Sequence, residues 1–287
     1  MPDRLDPSAY RRLVREALAE DVGPGDVTTA ATVPPDARMA AAIVANAPCV
    51  VAGLDVAREV FALVDPTIAL VDLRADGSAC NPGDQVATVS GPAAGILTAE
   101  RPALNFLQHL SGIATRTRDF VEAAGGRLKV LDTRKTIPGL RALAKYAVTC
   151  GGGVNHRVGL YDGILIKDNH IAVAGGVAEA VRRVRASGSL LPIEVEADTL
   201  ADVDAALEAA VDVIMLDNMD DETIDAAMGR IGGRARVELS GGMTVERVRR
   251  LAASGADYVS IGAITHSAPA VDMSLDVIRR SSSADGR

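Results

Sequence analysis

The sequence predicts an α/β protein whose larger part is a closed or nearly closed barrel of parallel βα units, preceded by a separate amino-terminal region. Three observations predict it. After Gly126, short apolar strands (LKVLDT, GILIKD, PIEVEAD, DVIMLDN, RVELSGG, DYVSIGA) alternate with helical segments, the last four beginning near 192, 212, 236 and 257. Each strand is a nearly continuous run of Val, Ile and Leu, as in parallel strands covered on both faces. Charged or glycine-rich residues then occupy the carboxyl end of strand after strand, where barrel enzymes keep their active sites.

The elements follow in order. SAYRRLVREALAE, residues 8–20, has helical spacing, with Ser8 as the expected N-cap after Pro7. RMAAAIVAN (38–46), TIALVDLR (67–74) and QVATVSG (85–91) read as strands, with a helix at GLDVAREVFALV (53–64) and a turn at NPGD (81–84). From Thr98 a long helical pattern runs toward Gly125 and links the two regions, with an interruption expected near Ser111 and Gly112. At 287 residues the chain accommodates two domains, or a barrel with an added domain.

Composition narrows the function. The chain is 48% hydrophobic with no Trp and seven aromatics, so its core must be built from Ala, Val, Leu and Ile. A net charge of −8 and a pI near 5.1 disfavour nonspecific nucleic-acid binding, and the scarcity of aromatics removes stacking platforms for single strands. Cys49, Cys80 and Cys150 form no CxxC pair, and His109, His156, His170 and His266 form no metal pattern, arguing against a disulfide framework or zinc site. A reducing cytoplasm is the expected setting, since no signal-peptide core or membrane-length apolar run is found.

Against this acidic background the four lysines, Lys129, Lys135, Lys145 and Lys167, all fall within 39 residues. With Arg134, Arg141 and Arg157 the window holds seven basic residues against Asp132 and Asp162. A bias toward arginine codons could thin surface lysines and leave such a cluster. A chemical step that needs a compact ammonium of adjustable pKa accounts for it more directly.

Four strand ends supply a candidate site: Arg134 and Lys135, Lys167, Glu196, and Asp217. Singly, each could be a solvated loop charge, but their recurrence at one place in the structural unit predicts a shared mouth. Two further strands end in LSGGM (239–243) and SIGAI (260–264), the position where barrels bind phosphate through backbone N–H groups. His156 and Arg157 in TCGGGVNHR add a second basic pair. So many cations repel one another unless anions join them, which predicts a polyanionic ligand: a phosphorylated compound with a carboxylated one. Glu196 and Asp217 would bind hydroxyls, or a cation attached to the phosphates.

The stretches ERPALN, LDTRKT, GGGVNHR, LIKDNH, EVE, LDN and SGG, in this order and spacing, together with EDVGPGDVTT at 20–29, resemble the quinolinate phosphoribosyltransferases, or nicotinate-nucleotide pyrophosphorylases (carboxylating). The resemblance covers nearly the whole chain. It implies an amino-terminal α/β sandwich domain (1–113), an incomplete, open α/β barrel (114–270) and a carboxyl-terminal segment (271–287) that packs back on the first domain. It implies a homodimer, with each site completed by the neighbouring subunit. The implied reaction joins quinolinate to phosphoribosyl pyrophosphate with Mg²⁺, giving nicotinate mononucleotide, pyrophosphate and CO₂ in de novo NAD biosynthesis. Position by position, Arg134, His156, Arg157 and Lys167 match residues that hold quinolinate's carboxylates, with Arg101 supplied by the partner subunit. Lys135 matches a lysine near the pyrophosphate, Glu196 and Asp217 the acids near the ribose and metal, and Ser240, Gly241, Gly242 and Gly262 the 5′-phosphate cradle. The resemblance assigns no role to Cys150 or to LYDG at 160–163. Two other readings remain open: a Schiff-base lyase or aldolase using Lys167, and a noncatalytic relative like the molybdenum-transport-associated proteins.

Overall fold

The computed structural model describes residues 4–278. The chain forms α1 (Arg11–Val22), α2 (Val27–Thr32), β1 (Arg38–Ala45), β2 (Cys49–Val50), α3 (Leu54–Val64), β3 (Ala69–Asp72), β4 (Ala79–Cys80), β5 (Gln85–Pro92) and α4 (Ala93–Ala124). There follow β6 (Lys129–Leu131), α5 (Arg141–Gly151), β7 (Ile164–Ile166), α6 (Asp168–Ala174), α7 (Val177–Ala186), β8 (Ile193–Ala197) and α8 (Leu200–Glu208). The last elements are β9 (Val213–Asp217), α9 (Asp221–Ile231), β10 (Arg236–Ser240), α10 (Val245–Leu251), β11 (Tyr258–Ser260), α11 (Ala263–His266) and β12 (Met273–Val277). The helix expected at 8–20 starts later than its sequence pattern: Pro7–Ala9 forms a short 3₁₀ turn capped by the Asp6 side chain, and Ser8 gives its N–H to that carboxylate at 2.8 Å.

These elements cluster into two units. The first comprises 1–116, 138–151 and 268–287; the second comprises 117–137 and 152–267. This differs from a division into contiguous segments at 113/114 and 270/271, because α5 belongs with the first unit. Its Tyr146 hydroxyl donates to Asp76 at 2.6 Å, the same carboxylate that accepts the Gly53 N–H at the start of α3. Burial pushes the Asp76 carboxyl up, and these donors offset only part of that rise.

In the first unit the four-stranded sheet has the order β12-β1-β5-β3, all antiparallel. Among the described residues of the expected carboxyl-terminal segment, β12 pairs with β1 from Ala41↔Val277 to Ala45↔Met273; residues 279–287 lie outside the described residues. Helix α4 is continuous through Ser111 and Gly112, where a break was expected. The reason is local: a Cβ on Gly112 would collide with the Pro269 carbonyl, so glycine is there for close approach and not as a helix breaker.

In the second unit six parallel strands have the order β6-β11-β10-β9-β8-β7. Chain order is therefore preserved around a ring that is open between β6 and β7. The 152–156 segment partly covers that opening, since Val154 bridges to Leu131 and gives its N–H to the Val130 carbonyl at 2.8 Å. This is an incomplete α/β barrel. Val195, Ile214, Leu216, Leu239 and Val259 are wholly buried, each worth about 1.5–3 kcal/mol of apolar burial.

Candidate active site

Both cavities that collect the predicted residues lie at the carboxyl ends of the barrel strands. One, of about 290 Å³, is walled by Arg134, Lys135, His156, Arg157 and Lys167, with Glu238 and Ser240 also reaching it. The other, of about 460 Å³, is walled by Asp217, Gly241, Gly242 and Gly262. Thr133, Lys135, Ser240 and Ser260 line both. Open depressions of about 610 and 570 Å³ at the amino ends of the strands, beside Lys129, Asp257 and Arg236, lie at the opposite mouth, where barrels carry stability rather than chemistry.

The backbone explains the first wall. Strand β6 ends at Leu131, and the chain turns with the Thr133 hydroxyl accepting the Lys135 N–H at 3.0 Å. The Thr265 hydroxyl donates to the Lys135 carbonyl at 2.7 Å, which ties this turn to α11, just after β11. The buried Asp132 carboxylate accepts the His156 N–H at 2.8 Å and so draws the basic 156–157 pair in beside β6. Arg157 is braced by a bond from its Nη1 to the Gly163 carbonyl at 3.2 Å. Burial, then the charge of Arg134, lowers its pKa, although an arginine stays cationic.

His156 Nε2 lies 3.1 Å from a Glu194 oxygen and 3.5 Å from a Glu238 oxygen. Burial opposes a charged imidazole and the two carboxyls favour it, with a net rise to about 10. The Arg157 N–H, however, points at Nδ1 from 2.7 Å, which requires a lone pair there. The backbone geometry outweighs the electrostatic preference in this arrangement, because two N–H groups cannot face each other at that distance; the ring proton sits on Nε2. Glu194 is pushed up, first by burial and further by Glu238.

At the next strand ends Lys167 is ion-paired with Glu196. Glu196, Asp198 and Asp217 bring carboxylate oxygens within 4.8 Å of one another. Asp198 is pushed up by burial and then by the charges of Glu196 and Asp217, a repulsion that a hard divalent cation would relieve.

The glycine wall depends on a close approach between strand ends. Asp217 pairs in register with Ser240, and Asn218, at φ +55°, gives its N–H to the Ser240 carbonyl at 3.2 Å. Gly241 follows at φ +87°, against Asn218. The helices after these loops are short, α10 of seven residues and α11 of four, so this wall is a loop surface without a long helix behind it.

The structure thus brings Arg134, Lys135, His156, Arg157, Lys167, Glu196, Asp217, Ser240, Gly241, Gly242 and Gly262 to one mouth of the second unit. Arg101 lies in the first unit, exposed on α4. Of the four lysines only Lys135 and Lys167 line these cavities. Lys129 starts β6 at the amino end and approaches the Tyr258 ring at 6.0 Å, and Lys145 is buried on α5. Sequence reasoning passes over Glu194, Glu238 and Asp198. The signal for Glu194 was present: it is two residues before Glu196 in a strand, so both point to one face.

The comparisons agree across the chain. The family model of the quinolinate phosphoribosyl transferase C-terminal domain matches residues 113–276, and that of the N-terminal domain matches 26–111. A Mycobacterium leprae protein named nicotinate-nucleotide pyrophosphorylase [carboxylating] is 46% identical over 94% of this chain and 97% of its own. A Bacillus subtilis protein named as a probable nicotinate-nucleotide pyrophosphorylase [carboxylating] is 41% identical over 93% of each chain. The crystal structure of NadC from Streptococcus pyogenes superposes with a TM-score of 0.92 at 42% identity, covering 96% of this chain and 99% of that one. With two domain models in sequence and relatives above 40% identity along more than nine-tenths of its length, the chain belongs to the quinolinate phosphoribosyltransferase family.

Proposed function

We propose that this protein transfers the phosphoribosyl group of phosphoribosyl pyrophosphate to quinolinate with loss of CO₂, giving nicotinate mononucleotide and pyrophosphate, a step of NAD biosynthesis. One observation carries the reading: a cavity walled by Arg134, Lys135, His156, Arg157 and Lys167 adjoins a glycine-walled seat and shares Lys135 and Ser240 with it. A dicarboxylate fits the first cavity and a sugar phosphate the second.

The chemistry follows from charge. As the pyridine nitrogen attacks the anomeric carbon, the bond to pyrophosphate breaks and its electron pair leaves with the oxygen. Lys135, in the wall of both cavities, neutralises charge developing on that oxygen. Arg134, Arg157 and Lys167 hold the two carboxylates and so orient the nitrogen toward the sugar. The alkylated ring nitrogen is then cationic. When the bond from the adjacent ring carbon to its carboxylate breaks, the electron pair stays on that carbon beside the positive nitrogen, and a proton from solvent completes the product. The substrate is its own electron sink.

Glu196 and Asp217, with Asp198 beside them, fit Mg²⁺: three oxygen donors at close quarters, of which Asp198 is pushed up by burial and by the charges of the other two. When bound, Mg²⁺ would neutralise pyrophosphate charge.

A homodimer with Arg101 crossing to the neighbour's barrel extends this reading. It is supported by the exposed Leu160, Tyr161 and Val173, the first two from LYDG, near the unpaired edge strand β7, an apolar surface that a second copy would cover. A cytoplasmic setting fits the buried, unpaired thiols of Cys49, Cys80 and Cys150. Among the described residues no helix is long and apolar enough to cross a membrane.

The test is an assay of purified protein with quinolinate, phosphoribosyl pyrophosphate and Mg²⁺. Equal amounts of pyrophosphate, CO₂ and nicotinate mononucleotide are expected. Absence of nucleotide, or borohydride trapping of a carbonyl compound on Lys167, would favour another activity.

A further inference from the structure

We propose that Arg247 is a positioning residue for the glycine-walled cavity: it clamps the loops after β9 and β10 together and thereby aims the Gly242 N–H at a bound phosphate. The inference rests on the phosphoribosyl pyrophosphate reading of that cavity.

Arg247 lies in the first turn of α10, where its own N–H is taken by the Thr244 hydroxyl at 3.2 Å. A cation in that turn faces the positive end of the helix, so the helix itself gives no reason for an arginine there. The side chain, 18% exposed, turns all three of its nitrogens to other segments. Nη2 donates to the Met219 carbonyl after β9, and Nη1 donates to the Gly241 carbonyl after β10 at 3.1 Å. Nε donates to the Asp221 carboxylate at the start of α9 at 3.2 Å, and Arg250 reaches the same carboxylate at 3.4 Å. One planar guanidinium therefore ties two barrel loops and a helix start together. A lysine, with a single point of charge, has no such fork.

The tied loops are the ones that wall the cavity. Asp217, Asn218, Gly241 and Gly242 line it, and Arg247 does not. In a trans peptide the C=O and the next N–H point in opposite directions, and the described residues contain no cis peptide bond. With the Gly241 carbonyl drawn to the guanidinium, the Gly242 N–H faces away from Arg247, on the side where Gly242 lines the cavity. Among the described residues no group accepts this N–H. The charge on the carbonyl side also polarises the peptide and makes its N–H a stronger donor to an anion. Gly241 already packs against Asn218 too closely for a Cβ, so the arginine holds shut a junction that has no slack.

The experiment uses the full-length protein with Arg247→Met, which keeps the stem and removes every donor, and Arg247→Lys, which keeps the charge without the fork. In Arg247→Met the KM for phosphoribosyl pyrophosphate should rise about tenfold or more, the scale of a hydrogen bond to a charged group. Its affinity for quinolinate, measured by calorimetric titration, and its kcat should stay within about threefold, a split that general unfolding would not produce. Arg247→Lys should lie between this variant and the unmodified protein. Independently of activity, hydrogen exchange read by mass spectrometry should be faster in Arg247→Met across 217–221 and 240–244, and unchanged across 129–134. An unchanged KM for phosphoribosyl pyrophosphate, equal weakening of both substrates, or unaltered exchange in the two loops would overturn the proposal. Should Arg247→Met fail to fold, Arg247→Lys decides by the same readings. If the unmodified protein does not use phosphoribosyl pyrophosphate, the functional reading fails, while the exchange still decides whether Arg247 holds the loops.

Discussion

Gly241 approaches Asn218 so closely that a Cβ on it would stand 2.6 Å from the Asn218 nitrogen and nearer still to the side-chain oxygen. The two residues directly follow β10 and β9, and their contact shapes the glycine-walled cavity. Gly241→Ala must displace this backbone and also adopt φ +87°, a left-handed conformation costing about 1–2 kcal/mol for a residue with a Cβ. The KM for phosphoribosyl pyrophosphate should rise tenfold or more, while binding of quinolinate alone changes little. Gly229→Ala, in α9 with open space around it, is the contrasting case and should stabilise by about 0.5–1 kcal/mol, measured by denaturant unfolding.

Lys135 stands where the two cavities meet, and Lys167 reaches the first while paired with Glu196. Lys135→Ala and Lys167→Ala should each slow turnover on the order of a hundredfold, the loss typical of one transition-state donor. Steady-state kinetics check this, and near-normal kcat/KM in both would remove the assigned roles.

Arg101 offers a test of the assembly. Arg101→Ala alone should be inactive and Lys135→Ala slowed on the order of a hundredfold, but mixing them under conditions of subunit exchange should raise activity above either if each site draws Arg101 from the neighbour. One intact site per hybrid dimer sets the ceiling. No recovery despite demonstrated exchange contradicts the shared site.

The pH dependence of stability follows from Glu194. Its carboxyl is raised above the ordinary 4.5 by burial and by Glu238, so the folded state binds a proton that the unfolded state releases. The group's contribution is fully present below pH 4.5 and is lost as pH rises through the raised folded value. Glu194→Gln removes this titration. Its unfolding free energy, measured by denaturant at a series of pH values, should fall less steeply above pH 4.5 than that of the unmodified protein.

Much of the barrel was legible because each strand is a short apolar run that ends in chemistry: VIMLD predicts β9, and Asp217 closes it. The turn after β10 is legible in LSGG because glycine readily takes the φ of +87° that Gly241 adopts. Nothing local marks Tyr146 as the partner of Asp76, seventy residues earlier, so the tie of α5 to the first unit is not legible in the sequence. Ser8 looked like a cap, but Asp6 two residues before it provides the stronger acceptor. Lys129 and Lys145 share a sequence window with Lys135 and Lys167 yet lie elsewhere, since strand direction and helix placement, not proximity in sequence, decide which mouth a side chain reaches. Glu194 and Glu238 do not stand out within their strands in the sequence, because their partner His156 arrives from another loop.

The most direct measurement is calorimetric titration of quinolinate into the unmodified protein and into Arg134→Ala. The cationic cavity predicts one site per chain, weakened tenfold or more in the variant, a loss of about 1.4 kcal/mol or greater. No binding to the unmodified protein, or equal affinity for both, would contradict the assignment of this cavity to the dicarboxylate.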